Sequence, residues 1–152
     1  MFDMYNCFTA VLTTGVIPQD ITTQAASTNY IDLDVANVRI AGGKGQFLIV
    51  RVGTAFTASS ATGLDIRLET DTASGFATAL KQVFSVNIPN ASLTAGKLLI
   101  NQQLPVQKYQ RYMRLYFNPV GGDVTYTAGS LIAYLQDHPE PAEAQLDQTE
   151  LS

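Results

Sequence analysis

Carboxylates are the side chains in this sequence whose positions come nearest to a catalytic arrangement. Asp65, Glu69 and Asp71 fall on one face of a strongly alternating segment, with Arg67 among them as a charge partner. Two carboxylates on either side of a sugar can hydrolyse a glycosidic bond, one of them acting as a protonated acid. That acid needs a pKa raised by desolvation. Because the alternation predicts a solvated strand face, we interpret these residues as surface ion pairs. A small enzyme that uses these carboxylates, such as a glycosidase, is the less favoured hypothesis.

The residues needed for nucleophilic or metal chemistry are scarce. The chain has one histidine and one cysteine. His138 lies between Asp137 and Pro139, where no predicted element holds it against a nucleophile. Cys7 alone can form neither an intrachain disulfide nor a thiolate cage for zinc. We therefore predict a protein that is not an enzyme and has no cofactor and no metal.

Two weaker motifs are explained by strands and turns. Asp32 and Asp34 share a face and could bind Ca²⁺, but their apolar neighbours favour an extended strand over the tight turn of a calcium loop. Residues 41–45, AGGKG, lack the Ser or Thr that follows the lysine of a phosphate loop. They also precede a predicted strand, so the helix N-terminus that binds phosphate is missing. A glycine-rich turn is the prediction for that segment.

The composition suits one domain that binds neither nucleic acid nor a membrane. Of 152 residues, 46% are hydrophobic and only 14% are charged, and the net charge is −4. The apolar fraction is sufficient for a core, and the low charge predicts a neutral polar surface. Nucleic-acid affinity comes largely from Lys and Arg, and in this chain 9 basic residues are outnumbered by 13 acidic residues. No segment approaches the roughly 20 apolar residues of a membrane span, and no basic signal region precedes one, so we expect a soluble protein made in a reducing cytosol.

The segment 103–136 predicts one long β-hairpin. From Arg111 the side chains alternate between two faces, which is the period of a strand. Residues 118–123, NPVGGD, have the proline, glycines and Asx residues of a turn, and 124–136 returns as a second strand. The residues predicted to point inward are Met113, Leu115, Phe117, Leu131, Ala133 and Leu135.

The rest of the chain predicts more short strands, at 8–12, 28–35, 47–52, 64–69, 80–88 and 98–104. The clearest alternation is in 64–69, where Leu64, Ile66 and Leu68 are predicted to point inward and Asp65, Arg67 and Glu69 outward. Residues 47–52 are apolar on both faces, which predicts a central strand. Two similar segments, LTAGKLLI and YTAGSLIA, predict bends at Gly96 and Gly129. With the hairpin, the total is about eight strands, the number and spacing of an all-β antiparallel sandwich.

We predict that residues 1–136 form the sandwich domain, with 1–20 as an N-terminal arm or first strand. From residue 137 the composition changes. Residues 137–152 contain five acidic residues, no basic residue and two prolines. Such a segment predicts a flexible acidic tail.

The outward face of the strand that follows residue 111 is the predicted contact surface. Tyr112 and Tyr116 flank Arg114, and two amphipathic rings beside a guanidinium can anchor a protein partner or a sugar. Ordinary cross-strand packing of the same side chains is the alternative. The candidate interface residues are Tyr112, Arg114, Tyr116, Arg111, Phe2 and Tyr5.

Several segments of the chain resemble the capsid cement proteins of short-tailed bacteriophages. RYMRLYF, the Gly-Gly turn after it and VTYTAGSLIAYL carry the resemblance at the end of the domain. STNYIDLD, TAFTASS, LTAGKLL and LPV resemble segments of that family in the same order, so the similarity extends over residues 27–135. The matching residues near the end are Arg111, Tyr112, Arg114, Leu115, Gly121, Gly122, Thr127, Ala128 and Gly129.

The resemblance implies a jelly-roll sandwich that lies on the outer surface of the virion and bridges neighbouring major capsid proteins of the phage head. We expect such a structural protein to act as a homodimer or homotrimer, because repeated contacts increase avidity. A carbohydrate- or receptor-binding jelly-roll module of a phage tail is the alternative. The absence of tryptophan counts against that alternative, since flat sugar platforms favour its large ring.

Overall fold

The computed structural model describes residues 6–9, 11–12, 15–33, 45–105, 109–121 and 125–139. These residues form thirteen β-strands and a short 3-10 helix, Asn90–Ser92. The strands are β1 (Val11–Leu12), β2 (Gly15–Val16), β3 (Gln19–Asp20), β4 (Ala25–Ala26), β5 (Ile31–Asp32), β6 (Phe47–Val52), β7 (Thr57–Ala58), β8 (Gly63–Asp71), β9 (Lys81–Pro89), β10 (Leu98–Gln103), β11 (Tyr112–Val120), β12 (Tyr126–Ala128) and β13 (Ser130–Gln136).

The strands form two main antiparallel sheets that pack face to face. The first sheet has the order β10-β6-β13-β3, and the second has β4-β11-β8-β9 with β5 also paired to β11. The chain crosses repeatedly between the two sheets. The first sheet takes β3, β6, β10 and β13, and the second takes β4 and β5, then β8 and β9, then β11. This crossing between sheets is the jelly-roll arrangement. The prediction of an antiparallel jelly-roll sandwich is confirmed.

The core lies between the two sheets. Alternation directs every second residue of β8 and β11 toward β6 and β13, and these inward side chains form one apolar cluster. Each large side chain that is fully buried contributes about 1.5–3 kcal/mol to stability. The inward residues predicted from the sequence are all buried: Leu64, Ile66, Leu68, Met113, Leu115, Phe117, Leu131, Ala133 and Leu135.

β6 lies at the centre of the first sheet, between β10 and β13, as its two apolar faces predicted. Its inward residues join the main core. On its other face, Ile49 packs against Cys7 and Tyr134 in a second, smaller apolar cluster. The segment before β1 forms this cover, through an isolated bridge between Cys7 and Tyr134.

The predicted hairpin over residues 103–136 is wrong. β11 pairs with β4, β5 and β8, whereas β13 pairs with β3 and β6, so the two strands lie in opposite sheets. β11 also continues through Asn118 and Pro119 to Val120, which the sequence assigned to the turn. β4 pairs with β11 only at Tyr116 and Phe117. Pro119 lies beyond the residues of β11 that pair with β4. A proline is tolerated there because the N–H that it lacks would have no strand partner on the β4 side.

The bend predicted at Gly129 is confirmed. Gly129 has φ +146° and separates β12 from β13, and Gly96 has φ +74° before β10. A Cβ on Gly129 would lie 2.4 Å from atoms of the Phe56 ring. The bend therefore needs glycine both for its backbone angle and for the close approach of that ring.

Two predicted strands are shorter than the pattern suggested. Among the described residues of the predicted segment 8–12, only Val11–Leu12 is a strand, while Phe8 and Thr9 are buried beside β13. The Phe8 N–H donates to the Ala133 carbonyl at 2.9 Å. In the described part of the second segment, residues 28–33, only Ile31–Asp32 is a strand. The rest of that segment from residue 34, the turn predicted at 41–45 and the tail from residue 140 lie wholly or mainly outside the described residues.

Among the described residues, no helix has the length and apolar character that a membrane crossing requires.

Candidate partner-binding face

The outer face of the second sheet carries most of the residues predicted to contact a partner. β11 lies between β8 on one side and the short strands β4 and β5 on the other. Because Met113, Leu115 and Phe117 point into the core, the alternate residues point outward and are half-buried. In the pairing of β11 with β8, Tyr112 lies opposite Asp71, Arg114 opposite Glu69 and Tyr116 opposite Arg67.

Arg114 is held firmly at the centre of this face. Its Nε donates to Oε2 of Glu69 at 2.8 Å, and the two side chains are 19% and 7% exposed. The Arg114 Cζ lies 4.4 Å from the centroid of the Phe76 ring and 5.5 Å from that of Tyr116. Charge pairing and two cation–π contacts therefore fix the guanidinium.

The buried carboxylate of Asp71 organises the segment 72–80, which we call the Asp71 loop. Backbone N–H groups of Ala73, Thr78 and Ala79 donate to its oxygens at 3.1, 3.2 and 3.0 Å, and the Thr72 hydroxyl donates at 3.3 Å. Burial raises the pKa of Asp71, but the backbone N–H groups outweigh burial and leave the pKa below its ordinary value. The ionised carboxylate is thus the form that holds the loop.

The Asp71 loop carries Phe76 over Arg114. Phe76 is buried and has φ +51°, an uncommon conformation for a non-glycine residue. The turn bond from the Phe76 N–H to the Ala73 carbonyl, 3.1 Å long, helps to maintain it. The loop thereby covers Arg114, the partner of Glu69, with an aromatic ring.

The end of the face nearest residue 111 combines a second ion pair with two tyrosines. Arg111 donates from Nε and Nη2 to the two carboxylate oxygens of Asp32, each at 2.9 Å. Its Cζ lies 5.0 Å from the Tyr112 ring centroid. Tyr30 meets Tyr112 edge to face at 5.6 Å between centroids and remains 44% exposed.

We call Tyr30, Phe76, Arg111, Tyr112, Arg114 and Tyr116 the aromatic–arginine face. Each of its guanidinium groups pairs with a carboxylate of the same chain. The face therefore offers aromatic rings, with that of Tyr30 the most exposed, and balanced charges. Such a surface suits contact with a protein through buried ring area more than attraction of a charged ligand.

The carboxylates considered for catalysis have structural partners. Asp65 accepts from Arg67 at 3.2 Å in the partly exposed pair that the sequence predicted. Glu69 and Asp71 are buried, so the prediction that they share a solvated face is wrong. The Asp71 loop encloses Asp71, and Glu69 pairs with Arg114, neither of which strand alternation could show. The pKa of Asp71 is lowered, the opposite of the shift that a catalytic acid needs.

Four further residues were singled out from the sequence, and two of them lie in the part of the chain that the structure describes. Phe2 and Tyr5 lie outside the described residues. His138 is exposed, with Nδ1 2.7 Å from an Asp137 oxygen, and Cys7 is fully buried in the second apolar cluster.

Sequence reasoning missed Tyr30 and Phe76. The sequence does contain a signal for Tyr30. It lies two residues before Asp32 and therefore on the same face of the strand as the carboxylate that pairs with Arg111. Phe76 has none, because its place over Arg114 depends on a positive φ inside a loop.

Comparison with protein families identifies the chain. The family model Bbp16 matches residues 17–135, which include every strand from β3 to β12 and most of β13. The chain belongs to the Bbp16 family. Bbp16 is a phage-related family, so this member is a phage-associated protein. No curated protein matches this Bbp16 chain.

Proposed function

We propose that this protein is a cement, or decoration, protein that binds the outside of an icosahedral phage head. Its partner is the major capsid protein, and it acts by binding, without catalysis or a cofactor. The observation that carries the proposal is the Bbp16 match over residues 17–135. Nearly the same region contains the segments that resemble cement proteins in their order. The jelly roll is compatible with this function but does not establish it.

The aromatic–arginine face is the proposed contact with the capsid. Tyr30 is one of two large apolar residues exposed among the described residues, and it contacts both Tyr112 and Phe76. Burial of such rings contributes most of the energy in many interfaces. Because the arginines are already paired within the chain, contact through this face should depend only weakly on salt.

A protein that contacts two or more capsid proteins stabilises only the assembled shell. Dissociation of the shell must then also break these contacts, so binding shifts the equilibrium toward the assembled state. The stabilisation accumulates over the many equivalent sites of an icosahedral head, and each contact can remain small.

Heating virions made with and without this protein tests the proposal. We expect genome release at a higher temperature when the protein is present, and recovery of that temperature when purified protein is added back. Density for the protein on the outer surface of the head should accompany the effect. Equal release temperatures together with an undecorated head surface would contradict the proposal.

Carbohydrate binding by a phage tail module is a second candidate, favoured by the exposed ring of Tyr30. The rings of Tyr30 and Tyr112 meet at 81°, however, and so do not form one flat platform. A glycan array distinguishes the two functions. Saturable binding to glycans by a protein that does not bind heads would favour the tail module.

A further inference from the structure

In the part of the chain that the structure describes, the second sheet ends in the long edge strand β9. β9 has nine residues, and its one strand partner among the described residues is β8. At the opposite end of this sheet, β4 and β5 have two residues each. An edge strand presents a row of unpaired N–H and C=O groups, and a long one is an efficient template for another strand.

β9 has protecting features only toward its ends. Lys81 begins the strand and Pro89 ends it, while residues 82–88 contain no charge and no proline. Its pairing with β8 shifts between Phe84 and Gln82, which makes Val83 an extra, bulged residue. The regular segment from Phe84 to Ile88 therefore lacks the charges, proline and bulges that usually block edge pairing.

Apolar area accompanies this open edge. Phe84 and Val86 point toward the core but are only half-buried, whereas the inward residues of neighbouring β8 are fully buried. Leu80, immediately before β9, is 50% exposed. A further strand beside β9 would cover part of this area, which would add hydrophobic stabilisation to the new backbone bonds.

We infer that β9 pairs with β9 of a second copy of this chain, antiparallel and across a two-fold axis near Val86. In that register Phe84 of one copy lies opposite Ile88 of the other on the inward side. On the outward side, Ser85 of one copy lies opposite Asn87 of the other. The strand is thus complementary to itself, apolar against apolar and hydroxyl against amide, with no like charges opposed.

The contact closes at two copies, because an isologous two-fold interface leaves no further edge of the same kind. Of the two oligomers that the sequence allowed, the structure thus favours the dimer. The two second sheets would join into one continuous sheet. The inference does not depend on capsid binding, although a dimer would double the contacts made with a head.

Charged substitutions on the exposed, outward positions test the contact. The variant Ser85→Lys/Asn87→Lys places lysines opposite lysines, whether the axis lies at Ser85 or at Val86. The variant Ser85→Glu/Asn87→Glu does the same with carboxylates. Since both side chains are exposed, the fold should persist, which circular dichroism checks.

Molar mass from light scattering is the readout. We expect a dimer for the unmodified chain, a monomer for each charged variant alone, and a dimer again when the two variants are mixed. Thr94→Lys/Ala95→Lys makes the same charge change at exposed turn residues and should remain dimeric.

A monomeric or trimeric unmodified chain would overturn the inference, and so would two folded charged variants that stay dimeric. If the unmodified chain is monomeric but the β9 variants lose head binding, the edge pairs with a capsid strand instead of a second copy. If monomeric variants still bind heads, the dimer contact and the head contact are separate. Failure of every form to bind heads would contradict the proposed function while leaving the dimer intact.

Discussion

The Phe76 ring lies over the Arg114 guanidinium, with 4.4 Å between the ring centroid and Cζ. This contact joins the Asp71 loop to the central strand of the second sheet. On its other side, Arg114 bonds Glu69, so one arginine connects a loop, two strands and a buried carboxylate. These contacts hold the Arg114 side chain in one place before any partner binds, which lowers the entropic cost of contact through it.

Replacing Arg114 should destabilise the fold substantially. Arg114→Ala leaves the Glu69 carboxylate, 7% exposed, without its charged partner. The expected loss in the free energy of unfolding is about 2–3 kcal/mol. Urea unfolding of Arg114→Ala measures it. Arg67→Ala is the matched control on the same face, because the pair of Arg67 and Asp65 is more exposed and should contribute less than about 1 kcal/mol.

The Asp71 loop should loosen in acid. The pKa of Asp71 is lower in the folded protein than its usual value of about 3.9 in an unfolded chain. Its contribution to stability is therefore present above about pH 4 and is lost as the pH falls through the folded pKa. We expect Asp71→Asn to lower the melting temperature at neutral pH and the difference from the unmodified protein to shrink below about pH 4.

Thermal unfolding over that pH range tests the Asp71 prediction. Asp20→Asn removes an exposed carboxylate and should have little effect on the melting temperature at neutral pH. A constant difference between Asp71→Asn and the unmodified protein at all pH values would show that ionisation of Asp71 does not hold the loop.

Alanine should be tolerated less well at Gly129 than at Gly96. Both glycines have positive φ, so each substitution should cost about 1–2 kcal/mol for the backbone conformation. At Gly129 the new methyl group also meets the Phe56 ring, whereas at Gly96 no atom lies within 4 Å. Chemical denaturation should therefore show the greater loss for Gly129→Ala. Equal losses would mean that the ring moves aside without cost.

The hydroxyl of Tyr126 should resist ionisation. It donates to Oδ1 of Asn90 at 2.7 Å, and burial raises the pKa of Tyr126 to about 12. This raised pKa means that the stabilisation is present below about pH 10 and is lost as the pH rises through about 12. Tyrosinate absorbance should show a step near pH 12 that Tyr126→Phe removes. The same variant should lose about 1 kcal/mol of stability at neutral pH.

Strand periodicity predicted the sheet interior well because burial repeats every second residue. Leu64, Ile66 and Leu68 were assigned correctly from alternation alone. The same rule failed for Glu69, because its carboxylate pairs with Arg114 of the neighbouring strand and is buried there, which the parity of its own strand cannot show. The outward placement of Tyr112 was likewise predicted from parity, whereas its contact with Tyr30 depends on the meeting of two strands distant in sequence.

Pairing between strands was the least predictable feature. The glycine-containing segment after Phe117 indicated the tight turn of a hairpin. A chain that crosses from one sheet to the other must also turn, so the same residues are compatible with both. Local turn chemistry shows that the chain changes direction but does not show which sheet the next strand joins. For β11 and β13, the jelly-roll topology placed them in opposite sheets.

Sedimentation of the purified protein with phage heads that lack it tests the central claim most directly. We predict saturable binding that changes little with salt and weakens by at least about tenfold, or about 1.4 kcal/mol, in Tyr30→Ala/Tyr112→Ala. Lys97→Ala, exposed before β10, should bind like the unmodified protein. Heads that sediment without the unmodified protein at any concentration would contradict the assignment as a cement protein.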